Sequence, residues 1–149
     1  MKNLLLLLLI TIISCKTTQK TEAQEDPIIK MEKTPCFGTC PEYSLEIFAD
    51  NTAKLHAVQH LPLKGDYKAK ISDSQLSALI SAFEEGKFFE YEKEYTANIS
   101  DMPTTYLTFN HKGKVKKVKD YHGAPESLKK LEKQVAALVD TLEWEEVEE

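Results

Sequence analysis

The residues with the most reactive potential form a close pair of thiols in Thr34-Pro35-Cys36-Phe37-Gly38-Thr39-Cys40-Pro41. Three chemistries fit a Cys-x-x-x-Cys pair. A structural disulfide would close a loop of about five residues and stabilise the fold by about 2 kcal/mol. The flanking prolines stiffen that loop, and Gly38 permits a positive φ inside it. Thiol–disulfide exchange usually uses two intervening residues at a helix N-terminus, which lowers a thiol pKa. Here three residues intervene, and Pro41 leads into a strand pattern. A zinc clip would need two more ligands, and no second Cys pair exists. His56 and His60 have helical ligand spacing, but on a strand four residues span about 13 Å, too far for one metal. Asp120-Tyr121-His122 puts an acid beside a His without marking a nucleophile. A phosphate loop, a Gly-x-Ser-x-Gly elbow and a His-Glu-x-x-His motif are all missing from the sequence. No arrangement of paired carboxylates stands out among the 24 acids. These residues call for no metal and no cofactor, and they favour a non-enzymatic role.

The third cysteine has a different context. Met1-Lys2-Asn3 precedes Leu4 to Ile13, ten residues in which only Thr11 is polar. As a helix that run is about 15 Å long, about half of a hydrocarbon core. It has the length of a signal-peptide hydrophobic region rather than a membrane span. Ile12-Ile13-Ser14-Cys15 resembles the lipobox of bacterial lipoproteins, which implies cleavage before Cys15 and a diacylglycerol on its thiol. An ordinary secretory signal and a short buried apolar segment are the alternatives. Several acyl chains hold a bilayer far better than one. Residues 1–14 are thus expected to be a signal peptide and residue 15 an anchor. Lys16, with no acidic run after it, points to the outer membrane facing the periplasm. Residues 16–27 lack any large apolar side chain and read as a flexible tether with an r.m.s. span of about 20 Å.

With Cys15 assigned to lipid, Cys36 and Cys40 remain as a pair. An oxidising periplasm makes a disulfide their default state. Phe37 between them either packs on the sheet or is held outward as a contact residue.

The rest of the chain must position these groups. Ile28 to Lys33 reads as a short strand. Glu42 to Ala49 alternates, with Tyr43, Leu45 and Ile47 on one face. Asp50-Asn51 supplies a turn, Ala53 to Leu61 a second strand of this block, and Gly65 to Ile71 its return. Ser72 and Gln75 form a capping box with an Ile71–Leu76 staple. Leu76, Leu79, Ile80 and Phe83 continue the helix, and Gly86 sits where a left-handed C′ residue is expected. Phe88, Phe89 and Tyr91 read as a plug under it, with a ligand platform as the alternative. Pro103 to Asn110, a Lys112-Gly113 turn and Lys114 to Tyr121 form a hairpin. Pro125 opens a second helix at its first position, with Leu128, Leu131, Val135, Leu138, Val139 and Leu142 on one face. Glu143 to Glu149 carries five acids and reads as a frayed tail. The expected fold class is α+β: an antiparallel sheet with two helices packed on one face, in strands–helix–strands–helix order. The two halves suggest a degenerate strand–strand–helix repeat. The expected division is a tether over 15–27, one domain over 28–144 and an acidic tail over 145–149.

Charge narrows the partners. The 149 residues carry 19 Lys, no Arg and 24 acids, for a net charge of −5. Without guanidinium groups there is no bidentate reading of guanine or phosphate, which excludes a dedicated nucleic-acid binder. Residues 111–133 hold eight Lys and three acids. Lys112, Lys114, Lys116, Lys117 and Lys119 could face anionic lipid, lipopolysaccharide or an acidic envelope protein. They could equally keep a solvated sheet edge from pairing.

Finally, Pro35-Cys36-Phe37-Gly38-Thr39-Cys40-Pro41-Glu42-Tyr43 resembles domain-of-unknown-function family 6438, a family of bacterial envelope domains. The likeness continues through Tyr95-Thr96-Ala97, Asp101-Met102-Pro103-Thr104-Thr105, Asp120-Tyr121, Gly123-Ala124-Pro125, Leu128, Leu131, Glu132 and Trp144. One departure is Asp50-Asn51, where the family usually has Asp-Gly. The resemblance implies an exported single domain and no particular chemistry. The reading is a lipid-anchored periplasmic protein that binds an envelope component through Phe37 and the Lys-rich hairpin. The alternative is a redox protein using Cys36 and Cys40.

Overall fold

A computed structural model describes residues 26–148. The signal segment, Cys15 and most of the expected tether lie outside the described residues. In chain order the elements are β1 (Ile29–Lys33), β2 (Glu42–Ile47), β3 (Thr52–Gln59), β4 (Gly65–Lys70), α1 (Asp73–Glu85), a 3-10 turn (Phe88–Glu90), β5 (Glu94–Tyr95), β6 (Thr105–His111), β7 (Lys114–Asp120), α2 (Glu126–Thr141) and β8 (Glu145–Glu146). The strands form one sheet in the order β5-β7-β6-β1-β2-β3-β4-β8. All pairs are antiparallel except β5 with β7. The α+β class, with both helices on one face, is the one expected from the sequence.

β1 is the centre of the sheet. It pairs with β2 through Ile29↔Ile47 to Lys33↔Tyr43, and with β6 through Ile29↔Phe109 to Lys33↔Thr105. The meander β1–β4 extends to one side and the β6–β7 hairpin to the other. Every second side chain faces the helices: Ile29 and Met31, Tyr43, Leu45 and Ile47, Ala53, Leu55 and Ala57, Leu107 and Phe109, and Val118 are all buried. From above, Leu76, Leu79 and Phe83 of α1 and Leu128, Leu131, Val135, Leu138 and Val139 of α2 close the same core. Each fully buried Leu or Phe contributes about 2 kcal/mol by removing apolar surface from water. The aromatic plug is part of that core: the Phe83–Phe109, Phe83–Phe88 and Phe88–Phe109 ring centroids lie 4.8, 5.0 and 5.9 Å apart.

Local signals explain the boundaries. Ser72 Oγ accepts from Gln75 N at 3.2 Å, and Ser72 N donates to Gln75 Oε1 at 3.1 Å, so the capping box starts α1 where expected. Asn51 takes the left-handed φ of 64° at the β2–β3 turn. Lys112 and Gly113 have φ of 50° and 74°, the two positive angles of a type I′ hairpin.

Three expectations are corrected. Gly86 is right-handed, at φ −72°, and Lys87 takes the left-handed position instead. Glycine at 86 serves close packing: a Cβ there would sit 2.9 Å from the Ala82 carbonyl oxygen and 3.3 Å from Leu131 Cδ1. Pro125 is the N-cap of α2, with ψ 153°, so the helix starts one residue later. The acidic tail does not simply fray. Glu145 and Glu146 pair with Lys68 and Tyr67 of β4, and Val147 N donates to Asp66 O at 2.8 Å. Trp144 leads the chain there by packing against the core and donating from Nε1 to Val139 O at 2.9 Å.

Candidate functional site at one end of the sheet

The disulfide loop links the C-terminal end of β1 to the start of β2. Cys36 and Cys40 are bonded, with Cα atoms 5.7 Å apart. Their loop stands clear of the core, and the Phe37 ring is 92% exposed. Of the two readings open for Phe37, the outward one is found. Gly38 N donates to Cys36 Sγ at 3.3 Å. No helix begins at either cysteine; the next element is β2.

The pairing register shows what surrounds this loop. Lys33, its base, lies beside Thr105 at the start of β6, and Thr105 lies beside Asp120 at the end of β7. The segments 96–104 and 121–125 therefore reach the same end of the sheet. Thr34 N donates to Thr104 O, and Tyr121 OH donates to Ile99 O at 2.7 Å. Tyr121 N and His122 N both donate to Tyr95 O. Ile99 and Met102 are each 44% exposed, so the loops next to Phe37 carry exposed apolar side chains of their own. The Cys-Phe-Gly-Thr-Cys-Pro block, Asp101 to Thr105, Asp120-Tyr121 and Gly123 to Pro125 are far apart in sequence and gather here.

The lysine hairpin does not join them. Its turn lies beyond Phe109, which pairs with Ile29, at the opposite end of the sheet from Phe37. Its lysines also divide between the two faces. Lys112 binds Glu84, and Lys114 lies 5.9 Å from the Phe89 ring centroid. Lys116 turns inward and donates to the Phe89 and Tyr91 carbonyls. Lys117 bonds Glu32 at 2.6 Å and lies over Tyr106, and Lys119 is 3.7 Å from Glu94. Each of the five thus has a partner within the domain. His56 meets Asp66 at 2.7 Å on the exposed face of the sheet. Among the described residues no three His, Cys, Asp or Glu side chains gather as metal ligands, and no helix is long and apolar enough to cross a membrane.

Beneath the disulfide end lie the two buried charged residues of the domain, Asp120 and Glu132. Lys129 Nζ donates to Asp120 Oδ2, while Asp120 Oδ1 and Glu132 Oε1 have no partner. Burial first, and the neighbouring Asp120 charge second, push the Glu132 carboxyl up to about 7, against the pull of Lys129 and Lys33. Burial works against the Lys129 ammonium, but its bond to Asp120 prevails and holds it above the ordinary lysine range. No motif in the sequence marks Glu132 as a site. Its signal was position: it occupies the stripe formed by Leu128, Leu131 and Val135, where an apolar residue belongs.

The family model for "Domain of unknown function (DUF6438)" matches residues 27–139. This chain is a member of that family, a class defined by its domain and by no assigned activity. Comparison with curated proteins and with solved structures gave no significant match.

Proposed function

We propose that this protein is an exported, lipid-anchored lipoprotein of the bacterial envelope, and that its domain is a binding or accessory module without enzymatic activity. Phe37 carries the proposal. An exposed ring at the tip of a disulfide-closed loop forgoes about 2 kcal/mol of burial, and it has a use when a partner covers it. The disulfide suits an oxidising compartment, and the run ending in Ser14-Cys15 suits lipidation. Lys16 favours the outer membrane, facing the periplasm. The partner is an envelope protein with an apolar recess. Anionic lipid is the lesser candidate, because the hairpin lysines already have intramolecular partners.

Crosslinking of natively expressed protein from position 38 tests this. Wild type should capture one partner, and Phe37→Ala should lose it with an unchanged melting temperature. Equal capture by the variant overturns the contact. Mass spectrometry that finds Cys15 unmodified overturns the anchor. Binding of the unlipidated domain to anionic vesicles at low salt would move the contact to the lysines.

The hydrogen bond from Gly38 N to Cys36 Sγ favours a second reading, thiol–disulfide exchange. A thiolate on Cys36 would be stabilised by that N–H, so it is the better leaving group. A partner thiolate would attack Cys40 Sγ, and the S–S bond would break toward Cys36. A second partner thiolate would then resolve the mixed disulfide. The partner dithiol loses two electrons and two protons, and Cys36 and Cys40 gain them. A reduction potential above the glutathione range and loss of exchange in Cys36→Ser would support this reading. A potential below about −300 mV would reject it.

A further inference from the structure

We propose that Asp120 and Glu132 share a single proton and form a pH-sensitive latch that fastens the start of α2 to the end of the sheet bearing the disulfide loop. The two carboxyls come from different elements, β7 and α2, and both are buried. One oxygen of each has no partner, and Lys129, which bonds Asp120, stands three residues before Glu132 on the same helix, so the two acids meet around one lysine. With one proton, Glu132 donates to Asp120 and both orphan oxygens are served. With none, two like charges face each other out of water, and they repel.

The surrounding groups do not remove the conflict. Lys129 on α2 neutralises one carboxylate, already bonded at Asp120 Oδ2. Lys33 on β1 attracts Glu132 from the sheet without a bond to it. Glu126, at the start of α2, competes for Lys129. One charge of the pair therefore remains uncompensated when both acids ionise. The effect reaches the exposed end along the chain: Tyr121, next to Asp120, donates to Ile99 O. Loss of the shared proton loosens α2 and, through Tyr121, the 96–104 loop.

Glu132 binds its proton more tightly in the folded state, at about 7, than in the unfolded chain, at about 4.5. Its stabilising contribution is complete below the lower value and is lost as pH rises through the upper one. The latch is closed in mild acid and opens above neutrality.

Amide exchange of the whole chain, corrected for intrinsic rates, tests this between pH 5.5 and 8.0. Protection at Leu128 to Leu131 should fall about thirtyfold in wild type, since a factor of about ten per pH unit accrues from pH 5.5 up to the folded value of about 7 and stops there. Glu132→Gln keeps a neutral donor for Asp120 and should abolish the fall. His122→Gln should preserve it, which separates the latch from a nearby histidine. Carboxyl carbon NMR gives a direct reading without any variant: a Glu132 midpoint near 7 is expected. An ordinary midpoint near 4.5, flat protection in wild type, or an unchanged fall in Glu132→Gln overturns the proposal.

Discussion

Thr34 and Thr104 hold each other twice. Thr34 N donates to Thr104 O at 3.0 Å, and Thr104 N donates to the Thr34 hydroxyl at 2.9 Å. This clamp joins the disulfide loop to the 96–104 loop across 70 residues of chain. Thr34→Val keeps the shape and removes the hydroxyl acceptor. It should cost about 1 kcal/mol in urea unfolding, because a part-buried N–H loses its partner. Exchange at Thr104 should rise more than anywhere else. Equal stability would mean that water replaces the hydroxyl.

Gly86→Ala sets two effects against each other. Alanine gains up to about 1 kcal/mol of helical preference over glycine. The added Cβ, 2.9 Å from the Ala82 oxygen and 3.3 Å from Leu131, forces a shift of α1 against α2. Overpacking of this kind costs about 1–3 kcal/mol. A net loss of about 1 kcal/mol is expected. A gain would show that the helices separate freely.

At the C-terminus, two changes should differ in size. Trp144→Ala removes an aromatic side chain packed on the core and the donor to Val139 O. It should cost about 2–3 kcal/mol. Truncation after Trp144 removes β8 and its exposed Lys68–Glu145 pair, 3.9 Å long. Exposed pairs contribute little, so the loss should stay below about 1 kcal/mol. Comparable losses in the two variants would show that strand pairing, not the indole, secures this edge.

The acid limb of the stability profile should run opposite to the latch. Hydrogen bonds from Thr52 hold the Asp50 carboxyl below its ordinary value, and Lys112 does the same for Glu84. Both groups stabilise above their unfolded values, and that help is lost as pH falls through their lower folded ones. Glu132 acts with the reverse sign. Melting temperature should therefore peak near pH 4.5–5 and decline on either side. A plateau through pH 8 would contradict the Glu132 limb.

Much of this fold was legible because each element answers to local rules. Ser72 and Gln75 marked the start of α1, and Tyr43, Leu45 and Ile47 showed which face of β2 is buried. Lys112-Gly113 marked a tight hairpin. What stayed hidden depends on long-range geometry. No local pattern says that β1 lies between β2 and β6, so none placed Phe37 and Lys112 at opposite ends. Gly86 was misread because close packing and positive φ leave the same glycine in a sequence. Glu145 and Glu146 pair only because Trp144 delivers them to β4. Cys36 and Cys40 were legible as a pair, but the outward pose of Phe37 depends on what surrounds the loop.

The placement of the two chain ends decides how the domain can be held. The N-terminal segment enters beside Ile28, whose carbonyl bonds Asn110, while Phe37 occupies the other pole of the sheet. The C-terminal residues leave along β4 past Asp66, toward the pole of Phe37. Fixing the domain to a support through its N-terminus therefore leaves the aromatic tip unobstructed. A bulky tag on the other terminus would emerge at that same pole, three strands away from β2.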